Sequence, residues 1–262
     1  MKYCSTDFPL IEIVLSTMND GIFSLKLNPN FKYTIVHQIP NLSDLPKYES
    51  KKNELKKIGV NYVQSNTSGL SISRNIGIEN ATGDYIWIMD DDVEIYSDAK
   101  EVLQKYIVNH NADIYVLNYD SDKKKIQHNY LYEKKLNYLS TMSVSSIKML
   151  IKRTAIGSMR FDEDFGLGGK FPSGEEYIFC CNMLKQDKII WQTNLTTCFH
   201  PSVTSGQDFY STPLKLATKK HMFMRAHNTY IGFFLYILFL IKKLPTITKN
   251  KAIKNIIKSF KL

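Results

Sequence analysis

Residues 10–17 (LIEIVLST) are mostly apolar and β-branched, and the run ends at Asn19-Asp20-Gly21. An apolar run closed by turn residues predicts a buried strand. Residues 33–36 (YTIV) and 60–63 (VNYV) repeat the pattern, and residues 44–58 between them predict a helix with Lys and Glu in water. Residues 71–81 predict a second helix built on Ile72, Ile76 and Ile78, with Gly83 as its C-terminal cap. Residues 85–89 (YIWIM) predict a strand that runs directly into Asp90, Asp91 and Asp92. Over 97–110, Ala99, Val102, Leu103, Tyr106 and Ile107 recur at helical spacing, which predicts an amphipathic helix capped by Ser97. Residues 114–118 (IYVLN) give a further strand, and residues 121–150, polar and Lys-rich, predict a connection over the ligand side. Strands alternating with helices predict an α/β fold with a mainly parallel sheet covered on both faces. Ligands of such sheets sit beyond the carboxyl ends of the strands, where Asp20 and the Asp90–Asp92 run belong.

The pattern changes near the end of the chain. Residues 230–241 (YIGFFLYILFLI) are a 12-residue apolar run, short of the about 20 residues a spanning helix needs. Beyond Pro245, Ile253, Ile256, Ile257 and Phe260 share one helical face among lysines, the pattern of an interfacial amphipathic helix. This divides the chain into an α/β domain, residues 1–212, and a basic helical tail, residues 213–262.

Charge sharpens that division. The net charge is +9, Asp208 is the last acidic residue, and eleven Lys and Arg follow it. Subtracting those eleven leaves −2 for the first 208 residues. A nucleic-acid groove across the domain is therefore excluded, and the tail predicts contact with an anionic membrane. With 262 residues, 44% of them hydrophobic, the chain can bury one sizeable core. Cys4, Cys180, Cys181 and Cys198 form no CxxC pair, which argues against a disulfide framework or zinc site and fits a reducing cytoplasm. Met1–Leu10 lacks the apolar run of a secretory signal.

The acidic run is the first candidate for chemistry. Three carboxylates at a strand end repel one another and need a counterion. A divalent cation, Mn²⁺ or Mg²⁺, meets that need with oxygen ligands, and a nucleotide diphosphate completes its shell. A solvated Asp-rich turn is the alternative for the run taken alone. From Gly69 the chain reads GLSISRNIGIENATGDYIWIMDDDV. This closely resembles the signature of family-2 glycosyltransferases: an Arg-Asn-x-Gly helix, then an Ala-x-Gly-Asp-Tyr strand ending in Asp-x-Asp. The wider resemblance covers roughly residues 10–205.

The resemblance implies a GT-A fold, a nucleotide-sugar donor and inversion at the anomeric carbon. It implies that Asp90 meets the ribose or the metal shell, that Asp92 binds metal, and that Asp91 fills the variable place. Arg74 belongs near the donor, and Gly69 opens the same motif. The element Ser16 to Asp20, with Thr17, Asn19 and Asp20, stands where relatives line the nucleoside pocket, although Asn-Asp-Gly also turns unaided. His37 and Gln38 replace the acidic residues usual after the second strand. Either can hydrogen-bond a uracil edge, and His37 can equally be a satisfied strand-end histidine. Residues 161–179 (FDEDFGLGGKFPSGEEYIF) resemble the acceptor loop of several GT-A enzymes. There Gly166, Gly168 and Gly169 let backbone approach the donor sugar, Glu176 is the general base and Glu175 its partner. Ser173-Gly174-Glu175-Glu176 also reads as a capping box. His200 is a candidate late metal ligand.

The reading is a single-sugar transferase acting from a UDP-hexose or UDP-N-acetylhexosamine on a surface polysaccharide or lipid-linked glycan, peripheral on the inner face of the cell membrane. A nucleotidyltransferase would need an early basic Gly-rich loop, which is missing, and a non-catalytic glycan-binding scaffold would not need Asp90, Asp92 and Glu176 intact. Processive synthases carry Gln-x-x-Arg-Trp, and neither Trp87 nor Trp191 follows an arginine.

Overall fold

The computed structural model describes residues 8–121, 132–201 and 208–262; Cys4 lies outside them. The first half follows the apolar pattern: β1 (Ile11–Met18), β2 (Lys32–Gln38), α1 (Leu45–Lys57), β3 (Asn61–Ser65), α2 (Leu70–Asn80) and β4 (Tyr85–Asp90). A short β5 (Glu94–Ile95), α3 (Ala99–Asn109) and β6 (Ile114–Asp120) come next. They are followed by β7 (Lys134–Lys135), β8 (Met149–Lys152), α4 (Arg153–Ile156), α5 (Glu175–Lys185) and β9 (Ile190–Phe199). Three helices, α6 (Pro213–Ala226), α7 (Thr229–Lys249) and α8 (Ile253–Ser259), close the chain.

The sheet order is β3-β2-β1-β4-β8-β6-β9-β5, with β7 also on β9. Strands β3, β2, β1 and β4 are parallel, whereas β8 runs antiparallel between β4 and β6. The sheet is therefore mixed. Strand β8, MLIK, lies at the end of the stretch read as a connection and is too short for a two-residue period to register. Successive side chains of a strand point to opposite faces. On β1, Ile11, Ile13 and Leu15 enter one core with Trp87 and Leu103, and Val14 enters the other with Ile88, Met149 and Phe179.

Two local expectations change. Helix α2 ends at Ala81 in extended conformation, so Gly83 is not its cap. Gly83 is needed for space: its N–H donates to buried Glu12 Oε2 at 2.7 Å, and a side chain would come within 2.7 Å of Glu12 Cβ. Helix α3 begins after Asp98, with no side-chain cap from Ser97.

The last three helices pack on the domain. A third core joins Tyr177, Ile178 and Cys181 of α5 to Phe223 of α6, Tyr236 and Ile247 of α7 and Ala252 beside α8. Tyr236 Oη and Ser259 Oγ lie 2.8 Å apart, and Lys220 Nζ donates to Ser259 O at 3.2 Å. The 12-residue apolar run is part of a 21-residue helix that continues through Pro245. By length and composition it is the one helix among the described residues that could cross a membrane.

Candidate active site

In register, Ser16 of β1 pairs with Asp90 of β4. Strand β4 ends there and β1 two residues later, and a cleft of about 820 Å³ opens beyond them. Thr17, Gln38, Arg74, Asp90, Asp91, Asp92, Gly168, Glu175, Glu176 and His200 all line it. The fold thus brings the Asp run and the paired glutamates, some 85 residues apart in sequence, into one space.

Arg74 joins them. Its side chain is 1% exposed, and one guanidinium nitrogen donates to Glu175 Oε1 at 2.9 Å. The other donates to Asp90 Oδ1 at 3.1 Å and to Ser146 Oγ at 2.7 Å. Glu176 Oε1 lies 3.7 Å away. A planar fork suits this shared contact in a way an ammonium cannot. Burial pushes Glu176 up to about 7, and the neighbouring Glu175 adds to this while Arg74 opposes it. Glu175 and Glu176 are the first two residues of α5, after Gly174 at φ 110°. No side chain caps that helix, so the capping box does not form. Glu176 instead accepts the Ser146 N–H at 3.3 Å. We expect Arg74→Met to cost about 3–5 kcal/mol of stability, because it leaves buried Glu175 unpaired. Urea unfolding checks this, and a loss below about 1 kcal/mol would show that Glu175 finds another partner.

The aspartates take separate roles. Asp91 Oδ2 accepts from Thr17 Oγ1 at 2.6 Å, and burial raises its carboxyl above the usual range. A side chain at Gly21 would come within 2.2 Å of that oxygen, so this glycine is fixed by Asp91 as well as by the turn. Asp92 Oδ1 sits 3.4 Å from His200 Nε2. The contact with His200 holds Asp92 below the usual carboxylate range, and Asp92 raises His200. Carboxylate oxygens suit Mn²⁺ or Mg²⁺. Among the described residues, no three His, Cys, Asp or Glu side chains are gathered closely enough to hold an ion alone. Diphosphate oxygens would have to complete its shell.

Several expected donor residues are used otherwise. His37 is fully buried and both ring nitrogens are taken, by Tyr62 Oη at 2.7 Å and by Asn19 O at 2.8 Å. It is a satisfied core histidine and holds the turn after β1. Asp20 faces α1, bonded to Tyr48 Oη at 2.9 Å and Lys47 Nζ at 2.5 Å, and the Lys47 bond lowers its carboxyl. Gly69, at φ 121°, packs against Gly168, where a side chain would meet the Gly69 backbone at 3.1 Å. Gly169 lies against the Asp164 carbonyl, outside the cleft lining. Gln38 Nε2 donates to Thr67 Oγ1 and to Gly69 O.

Other lining residues carried no sequence signal. Ser146 bridges Arg74 and both carboxylate groups from a segment without periodicity. Lys219, Met222 and Phe223 of α6 and Phe239 of α7 wall the glutamate end, so the cleft draws on both sides of residue 212. Seven buried side-chain atoms lack a partner among the described residues, and five belong to cleft-lining Ser16, Arg74, Ser145, Glu175 and His200. Buried polar groups are almost always bonded. Their concentration here marks a surface made for a polar ligand.

The glycosyl transferase family 2 model matches residues 46–167. Over those residues the chain is similar to that family. An uncharacterized glycosyltransferase of Haemophilus influenzae is 26% identical over 199 residues, covering 70% of this chain and 74% of that protein. Glycosyltransferase GlyA of Streptococcus pneumoniae is 43% identical over 60 residues, which are 23% of this chain but only 9% of GlyA. In structure, S. aureus TarS 1–349 in complex with UDP superposes with a TM-score of 0.56 at 13% identity, over 89% of this chain and 72% of that one. Mannosyltransferase PcManGT from Pyrobaculum calidifontis, in complex with GDP-Man and Mn²⁺, gives 0.57 at 12%, over 90% and 70%. The likeness shows the GT-A fold expected from the sequence.

Proposed function

We propose that this chain is a family-2 glycosyltransferase that transfers a hexose or N-acetylhexosamine, with inversion, from a UDP-sugar to a hydroxyl of a surface polysaccharide or lipid-linked glycan. The observation that carries it is the single cleft in which Arg74 ties Asp90 to the Glu175–Glu176 pair. Asp92, His200 and Asp90 would hold the divalent cation, which supplies charge stabilisation to the departing diphosphate. Glu176 accepts the proton of the acceptor hydroxyl as that oxygen bonds to the anomeric carbon. The bond from that carbon to the phosphate oxygen breaks, and the nucleotide diphosphate leaves with the electron pair. The 2.9 Å contact with Arg74 fixes the Glu175 side chain, so that Glu175 can orient the acceptor. TarS structures with UDP and UDP-GlcNAc support the donor class. The described cysteines, Cys180, Cys181 and Cys198, are buried and unpaired, consistent with work at the cytoplasmic face.

Donor hydrolysis over a set of UDP- and GDP-sugars, with and without Mn²⁺, tests the reading. Metal-dependent release of UDP from one UDP-sugar is expected. No release from any of them would overturn it. The pH profile follows from Glu176. Its carboxyl must be ionised to take a proton, and it is raised to about 7. kcat/KM should therefore climb with pH and level off above neutrality, and the limb should vanish in Glu176→Gln. The stability linkage has the opposite slope. A raised carboxyl stabilises the fold below its unfolded value, and that contribution is lost as pH rises through about 7.

A further inference from the structure

Helix α7 has two apolar sides, and only one is covered. Gly232, Tyr236, Leu240 and Ile247 are buried against α6 and α8. Tyr230, Ile231, Phe234, Leu238, Ile241 and Leu244 are 46–88% exposed. At 3.6 residues per turn these six fall within one arc of roughly 140°, along about 21 Å of helix. The patch continues onto the end of the chain, where the rings of Phe233 and Phe260 lie 6.1 Å apart. Single exposed apolar residues are ordinary, but a contiguous stripe of this size marks a surface that meets something apolar.

Charge chooses the partner. Lys242 and Lys249 border the arc, and Lys254 and Lys258 stand on α8 beside it. No acidic residue occurs after Asp208, so nothing in these helices neutralises them at long range. A second copy docked by the same face would bring lysine border against lysine border. An anionic bilayer offers hydrocarbon to the arc and phosphate to the lysines. The buried side also settles the orientation. To span a bilayer, α7 would have to give up Tyr236 and Leu240 from the third core, whereas lying in the interface costs none of that packing.

We propose that α7 is an in-plane membrane anchor whose Tyr230–Leu244 arc enters the interface of an anionic leaflet. This moves the contact from the residues after Pro245 to the preceding helix. Helix α8 serves by contributing lysines, while its Ser259 is tied to Tyr236 and Lys220. The inference is independent of the sugar-transfer reading. The test is co-sedimentation of the full chain with phosphatidylcholine vesicles, with and without phosphatidylglycerol. Wild type should bind the anionic vesicles, more weakly as salt rises. Phe234→Glu with Ile241→Glu should lower the bound fraction at least ~10-fold, and Lys254→Gln with Lys258→Gln should weaken binding less. Both glutamate positions are more than 60% exposed, so circular dichroism melting and donor hydrolysis should match wild type. If that double variant fails to fold, Tyr230→Glu, at 88% exposure, takes its place. Vesicle binding unchanged by the glutamates overturns the proposal. So does a wild type that ignores vesicles but forms a dimer, by light scattering, that the glutamates split; the face would then belong to a second copy.

Discussion

Asp92→Ala should abolish sugar transfer and remove the metal-dependent part of nucleotide diphosphate binding. Asp92 stands just past the end of β4, and its carboxylate is 54% exposed to the cleft with His200 Nε2 at 3.4 Å. Contact with His200 keeps it ionised well into the acid range, so an oxygen ligand is available at neutral pH. Among the described residues no three-residue cage exists. Losing one of so few donors would leave the cation only His200, Asp90 and the diphosphate oxygens. The fold should be almost unaffected, because the side chain is half in water and carries no core packing. Calorimetric titration of UDP in the presence and absence of Mn²⁺ reads the effect. Metal-dependent affinity equal to wild type would remove Asp92 from the site. Asp90→Ala should damage binding as well and also destabilise the protein, since Asp90 is one of the anions that balance buried Arg74.

Glu176→Gln should cut turnover by at least ~100-fold, the low end for a lost general base, while leaving donor affinity nearly intact. The amide keeps the shape and can still accept the Ser146 N–H, but it cannot take a proton. Because burial beside Glu175 disfavours the charged form of Glu176, the neutral amide should not lower stability, and above about pH 7 it should raise it. That sign separates the roles, since a glutamate that stabilised the helix N-terminus by its charge would lose stability on the same change. Glu175→Gln should behave differently. It breaks a 2.9 Å pair with a fully buried guanidinium, so the acceptor KM and the melting temperature should both suffer. Normal turnover in Glu176→Gln would send the search for a base to Asp162 or Asp164. Both of these already face Arg225, at 3.2 and 2.8 Å.

Much of this was written locally. Strands β1, β2, β4 and β6 declare themselves because, buried on both faces, they must be largely apolar runs, and polar residues follow at their ends. The Asp90–Asp92 run, the Arg74 helix and the Gly166–Glu176 loop were legible for the same reason: contiguous residues with fixed spacing do one job. Long-range pairing was not legible. Nothing beside His37 in sequence shows that Tyr62 and the Asn19 carbonyl occupy both of its nitrogens. Nothing near Gly83 shows that Glu12, 71 residues away, takes up the space of a side chain. Strand β8 and Ser146 were invisible because a four-residue strand and a serine in a turn carry no period. The amphipathic pattern of the last helices told that they have an apolar side but not how much of it the domain covers. Sequence determined the elements, the clustered aspartates and the paired glutamates, since propensity and motif spacing act over a few residues. Only the tertiary structure decided which carboxylates share Arg74, that His37 is closed into the core while His200 faces the cleft, and which side of α7 stays in water, since each depends on residues that meet only when the sheet and helices pack.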